Sequence, residues 1–129
     1  MKPMVVFVLL AVAAGAGLAL AQAQSQPAKA IPASVLDVFK RDCQGCHSGI
    51  LAPRGLKLIP GKLPSVIGAR SKEMPALKII DADDPASSYL LMKIEGASGI
   101  QGKKMPANGV LSDTDLQILK AWVLGLKGQ

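Results

Sequence analysis

Cys43-Gln44-Gly45-Cys46-His47 places two thiols three positions apart with an imidazole directly after the second. Thiols at that spacing can add across the two vinyl groups of one porphyrin, and the adjacent ring nitrogen can then reach the iron. C-x-x-C-H is the attachment pattern of a c-type haem. Cys43, Cys46 and His47 are also the only cysteines and the only histidine in 129 residues. A structural zinc site needs four ligands, and no Cys or His remains to complete one. A thioredoxin-like dithiol requires a βαβ setting, which the chain lacks. A Cys43–Cys46 disulfide would close a loop too short to constrain much of the unfolded chain. The expected cofactor is therefore one haem c per chain, covalently attached.

The other axial position cannot go to a second histidine of this chain. Methionine is the natural partner, and a Met/His pair raises the reduction potential. Beyond the amino-terminal leader the chain offers Met74, Met92 and Met105. Met92 lies among apolar neighbours in a helical stretch and reads as a core filler. Met105 stands in a glycine-rich loop, with Pro106 behind it, and such a loop can carry sulfur across to the haem. Met105 is the expected ligand; the alternatives are Met74 (which precedes Pro75), another ligand, or an open site.

Helices must position these groups. Ser34 and Asp37 read as a capping pair for a helix over 35–42 that delivers the chain into Cys43, with Val35, Val38 and Phe39 on one face. Residues 48–74 read as loop with short turns, punctuated by glycines at 49, 55, 61 and 68 and prolines at 53, 60 and 64. Leu56 and Leu58 are expected to face the cofactor, joined by Ile50 or Leu51. A carbonyl between Ile50 and Gly55, in a loop shaped by Pro53, is expected to accept the proton on the other His47 nitrogen. Asp81, Asp83 and Asp84 invite a calcium reading, but Asp84 as N-cap and Pro85 at the first helical position explain them better. That helix is expected to run to Glu95 and stop at Gly96, offering Tyr89, Leu90, Leu91 and Ile94 to the haem or to other helices. Ser112 caps a last helix whose stripe is Leu116, Leu119, Trp122, Val123 and Leu126, with Asp113 and Asp115 in the first turn and Lys127 in the last. No strand pair stands out. The expected fold is all-α around one cofactor.

Residues 1–23 read as a signal peptide: Lys2, an apolar run from Met4 to Leu20, then Ala21-Gln22-Ala23 as the cleavage site. An uncleaved membrane anchor is the alternative. Residues 24–32 read as a flexible lead-in and 33–129 as the domain. Export places the protein in the periplasm or otherwise outside a bacterial inner membrane. The formal charge is +6, lowered by one when Lys2 leaves with the leader. This balance favours an acidic docking partner. Aromatic residues do not interleave with the basic ones, so nucleic-acid binding has no support. Phe39, Tyr89 and Trp122 are a thin aromatic supply for a core, a deficit that a buried porphyrin would make good.

These residues resemble a family. The chain is similar to class I-type monohaem cytochromes c, and most to the short planctomycete-type domains. The resemblance rests on the C-x-x-C-H motif, Gly55-Leu56-Lys57-Leu58, Asp84-Pro85-Ala86-Ser87-Ser88-Tyr89-Leu90, Lys104-Met105-Pro106, and Leu111-Ser112 leading to Trp122 and Gly125. It implies a small cytochrome c-like helical fold wrapped around one covalently attached haem, in which the first and last helices cross with Phe39 against Trp122. It also implies His47 and Met105 as axial ligands and single-electron transfer at an exposed haem edge. The expected function is a non-enzymatic electron carrier between redox proteins. The alternatives are a haem c subunit or module of a larger dehydrogenase or oxidase, and a ligand-sensing or peroxidatic haem with a labile Met105. Lys103 and Lys104 could guide an acidic partner.

Overall fold

The computed structural model describes residues 30–129. The signal-peptide reading and most of the lead-in, 24–29, lie outside the described residues. Among the described residues four α-helices follow one another: α1 (Ala33–Val38), α2 (Leu63–Val66), α3 (Tyr89–Glu95) and α4 (Asp113–Leu124), with 3₁₀ turns at Pro53–Gly55 and Pro85–Ser87. Among the described residues there is no named strand, only isolated bridges at Ile67–Ile80 and Arg70–Lys78. The all-α expectation is borne out. No helix of the described residues is long and apolar enough to cross a membrane.

The first helix begins one residue before Ser34, so Ser34 is not its cap. Pro32 turns the chain, and its carbonyl accepts from Val35 N (3.0 Å) and Leu36 N (3.1 Å), leaving the Ser34 side chain in solvent. α1 does not run on as a regular helix either. Phe39–Cys43 is a π turn, closed by Gln44 N donating to Phe39 O at 2.9 Å. Such a turn carries an extra residue and shifts the face that follows it. Phe39 is thereby sent into the core, fully buried, while Asp42 and Cys43 line a cavity. Ile31, assigned from sequence to the lead-in, is half-buried against the core.

α4 is the spine of the domain. Ser112 is its N-cap: Asp115 N donates to Ser112 Oγ (3.1 Å), and that hydroxyl donates to Asp115 Oδ2 (2.7 Å). Leu111 and Leu116, flanking the cap at the positions of a hydrophobic staple, both join the core. Leu119 and Val123 are fully buried and Leu126 nearly so. Trp122 meets Phe39 edge to face, ring centroids 5.9 Å apart at 86°. First and last helices therefore pack as expected. Arg41 reaches Asp115 (2.8 Å) and Lys120 reaches Glu95 (2.6 Å), tying the π turn and α3 to α4. The helix ends at Leu124 with Gly125 as C-cap, so Lys127 lies beyond its last turn rather than in it.

The 85–95 stretch divides in two. Pro85–Ser87 is a 3₁₀ turn, Ser88 is extended, and α3 starts only at Tyr89. Asp84 caps nothing with its side chain. Asp81 Oδ1 takes that part, accepting from Asp83 N (3.0 Å) and Asp84 N (3.2 Å), and Lys78 Nζ neutralises it at 2.9 Å. The acidic cluster is a lysine-bridged turn. α3 needs no side-chain cap because Tyr89 N and Leu90 N donate to the Lys78 and Ile79 carbonyls. Gly96 stops α3 in the left-handed conformation (φ 72°), as expected.

Candidate functional site

His47 is buried, 8% exposed. Its Nδ1 lies 3.0 Å from the Leu56 carbonyl oxygen. A carbonyl only accepts, so Nδ1 carries the proton and Nε2 is the basic nitrogen, free to ligate. Leu58 N in turn donates to the His47 carbonyl at 2.8 Å. The motif and residues 56–58 are thus clasped twice, which fixes the ring's orientation.

The carbonyl that holds the imidazole lies one residue beyond the expected 50–55 window. Pro53 opens the 3₁₀ turn, Arg54 (φ 58°) and Gly55 (φ 69°) reverse the chain in left-handed conformations, and only at Leu56 does extended backbone return. Ile50 and Leu51 do not join Leu56 and Leu58. They are 93% and 91% exposed at the outer edge of the loop, because Gly49 and the following turn carry them away from the core.

His47 and Cys43 line a cavity of about 360 Å³. Leu56, Leu58, Val66, Ile79, Leu90, Ile94 and Leu111 give it apolar walls, and Met105 and Pro106 line it from the loop before α4. Leu91, by contrast, packs in the core. Met74 and Met92 are half-buried and line no part of this cavity. Met92 is not among the core residues, so the core-filler reading fails: the buried residues of α3 are Tyr89, Leu90, Leu91, Lys93 and Ile94. The structure brings together Cys43, His47 and Met105. Cys46 is exposed beside them.

The donor set and the cavity fit a haem. An apolar chamber of this size, one locked imidazole and one thioether suit the macrocycle and its iron, and basic side chains of Arg54, Lys57 and Lys72 along the lining suit its carboxylates. The Cys43 thiol is pushed up to about 12, by burial first and then by the Asp42 charge. It therefore stays a neutral thiol in an apolar wall rather than serving as a free thiolate.

Sequence reasoning missed a polar cluster on the same wall. Glu73 Oε2 accepts from Tyr89 Oη (2.9 Å) and from Lys93 Nζ (3.1 Å), and Lys93 is only 7% exposed. Burial raises the Glu73 carboxyl, but the hydrogen bonds from Lys93 and Tyr89 outweigh it and hold the group below its ordinary value. The helical period carried a signal: Lys93 falls four residues after Tyr89, on the face that Leu90 and Ile94 present to the cavity.

Fold and site together define a class: a small all-α domain with a C-x-x-C-H motif at the wall of an apolar chamber and a methionine loop delivered to that chamber. In sequence the chain is 44% identical over 64 residues to "Cytochrome c-552" of Nitrosomonas europaea (strain ATCC 19718), a match covering 48% of this chain and 60% of the relative. The chain thus spans less than two thirds of that curated relative's length. No family model matches the chain, and no solved structure matches it.

Proposed function

We propose that the protein is an exported monohaem c-type cytochrome that passes single electrons between redox proteins and is not itself an enzyme. The observation that carries this reading is His47, its Nδ1 proton given to the Leu56 carbonyl, lining one apolar cavity with Cys43 and Met105. Cys43 and Cys46 would hold one haem c covalently, and His47 and Met105 would be its axial ligands. When bound, the haem supplies a one-electron iron couple. The chain's own work is to orient and exclude. The Leu56 carbonyl keeps the imidazole in one tautomer and raises its basicity. The aliphatic walls keep water from the chamber and favour the less charged oxidation state. The Nitrosomonas relative, named a cytochrome c-552, supports the same reading, and the planctomycete-type grouping rests on the motifs quoted above. Export follows from the reading of residues 1–23.

Spectra of the ferric and ferrous protein beside those of Met105→Ala test the assignment. The weak deep-red sulfur-to-iron band should be present in the wild type and absent in the variant; a band that survives the substitution refutes it. Thiols of Cys43 and Cys46 that still react with an alkylating reagent in the mature protein would remove the haem reading altogether. A second reading, a haem subunit docked on a larger dehydrogenase or oxidase, is favoured by Ile50 and Leu51, two exposed aliphatic residues close after the motif. Stoichiometric co-purification with such an enzyme separates it from the free carrier.

A further inference from the structure

The loop that carries Met105 has no regular secondary structure between α3 and α4. Three hydrogen bonds nevertheless tie it to α3. Lys93 Nζ donates to the Gln101 carbonyl at 2.6 Å, Gln101 N donates to Tyr89 Oη at 3.0 Å, and Met105 N donates to the Lys93 carbonyl at 2.8 Å. Lys93 thus holds both ends of the segment 101–105, with its side chain at one and its backbone at the other. The intervening Lys103 and Lys104 are exposed.

A buried ammonium is costly unless it is paired and hydrogen-bonded. Lys93 meets that condition with the Glu73 carboxylate at 3.1 Å, the Gln101 carbonyl, and the Tyr89 ring 5.8 Å from Nζ. Glu73 belongs to the 67–80 loop, so the cluster joins that loop, α3 and the 101–105 segment at one point. A lysine placed here only to solvate α3 would point outward. This one points across the cavity wall at the loop that bears the methionine.

We propose that Lys93 is a positioning residue for Met105: its buried ammonium, anchored by Glu73 and Tyr89, holds the 101–105 loop against α3 and so sets how readily an external ligand displaces the methionine sulfur. The proposal rests on the reading of Met105 as an axial ligand. Its physical basis is entropic. A loop already ordered by three bonds loses little further freedom when its sulfur is held, whereas an untied loop spends part of its time with the sulfur withdrawn. An external ligand binds only to that withdrawn state, so its apparent affinity follows the state's population.

The test is a titration of the haem-loaded ferric protein with imidazole, followed by loss of the sulfur-to-iron band. Lys93→Met keeps the aliphatic stem and removes the tie. It should bind imidazole at least about tenfold more tightly than the wild type, the population shift expected on losing one charge-assisted hydrogen bond. Lys103→Met removes the same charge from the exposed part of the loop and should stay within about twofold of the wild type. Tyr89→Phe loses the hydroxyl that accepts from Gln101 N and donates to Glu73, and should shift affinity in the same direction as Lys93→Met. A Lys93→Met protein that keeps the band and the wild-type imidazole affinity overturns the proposal alone. If Lys93→Met does not accumulate, Tyr89→Phe decides, and an unchanged affinity there overturns it. A wild type without the band, or a Met105→Ala protein that binds imidazole no more tightly than the wild type, overturns the ligand assignment and this proposal with it.

Discussion

Replacing Phe39 by Ala should be among the most damaging single changes available in this domain. The side chain is fully buried, and its ring stands edge to face with Trp122 at 5.9 Å. Truncating a buried Phe to Ala typically costs about 3–5 kcal/mol, from lost transfer energy and the cavity left behind. The upper half of that range applies here. The site lies between the π turn and α4, both held in place by the Arg41–Asp115 ion pair, and so it cannot easily collapse. For a domain of this size 1 kcal/mol corresponds to roughly 4–8 °C in Tm, so a loss of about 4 kcal/mol is roughly 15–30 °C. Guanidinium unfolding of the haem-loaded protein, followed by far-ultraviolet circular dichroism, measures the loss directly. Phe39→Leu and Trp122→Leu, alone and together, complete a double-mutant cycle whose coupling should be about 1 kcal/mol if the edge-to-face geometry contributes beyond burial. Leu51→Ala is the control: the side chain is exposed, and the change should stay within about 0.5 kcal/mol. A Phe39→Ala loss below about 1 kcal/mol, or coupling indistinguishable from zero, would refute the claim that this pair locks the first helix to the last.

Two further expectations concern a cap and a thiol. Ser112→Ala removes the acceptor for Asp115 N and should cost about 1 kcal/mol in the same unfolding assay. The Asp115 carboxyl is held below its ordinary value by the Ser112 hydroxyl, against burial and with help from Arg41. The stability it contributes is present above the unfolded value and is lost as pH falls through the folded one, so an acid titration of Asp115→Asn should lack that component. In the chain before haem attachment, burial and Asp42 move the Cys43 thiol from 9.0 to about 12. The unfolded chain ionises first, so stability should fall as pH rises across that window. Cys43→Ala, and the thioether of the haem-loaded protein, should both remove the dependence.

Much of this was legible from residue types and spacing. Two cysteines and a histidine in one pentapeptide, with no other cysteine or histidine in the chain, carried the expectation of one haem and of methionine as its second axial partner. Capping and periodicity at Ser112, Leu119 and Val123 are local signals, and the helix they describe is present. Local signals misled where backbone partners came from afar. Ser34 and Asp84 look like caps, yet the Pro32 carbonyl opens α1, and the Lys78 and Ile79 carbonyls satisfy the start of α3.

The C-x-x-C-H motif and the all-α class were legible in composition and short-range pattern, because thiols, imidazole and helical periodicity declare themselves within a few residues. The pairing of Phe39 with Trp122 came only as what the family resemblance implied. Tertiary structure alone decided which carbonyl locks His47 and which of three methionines reaches the cavity. It alone also decided that Lys93 turns inward to Glu73 and Gln101. Those are contacts between segments distant in sequence, and their energies depend on burial and distance, which no local window contains.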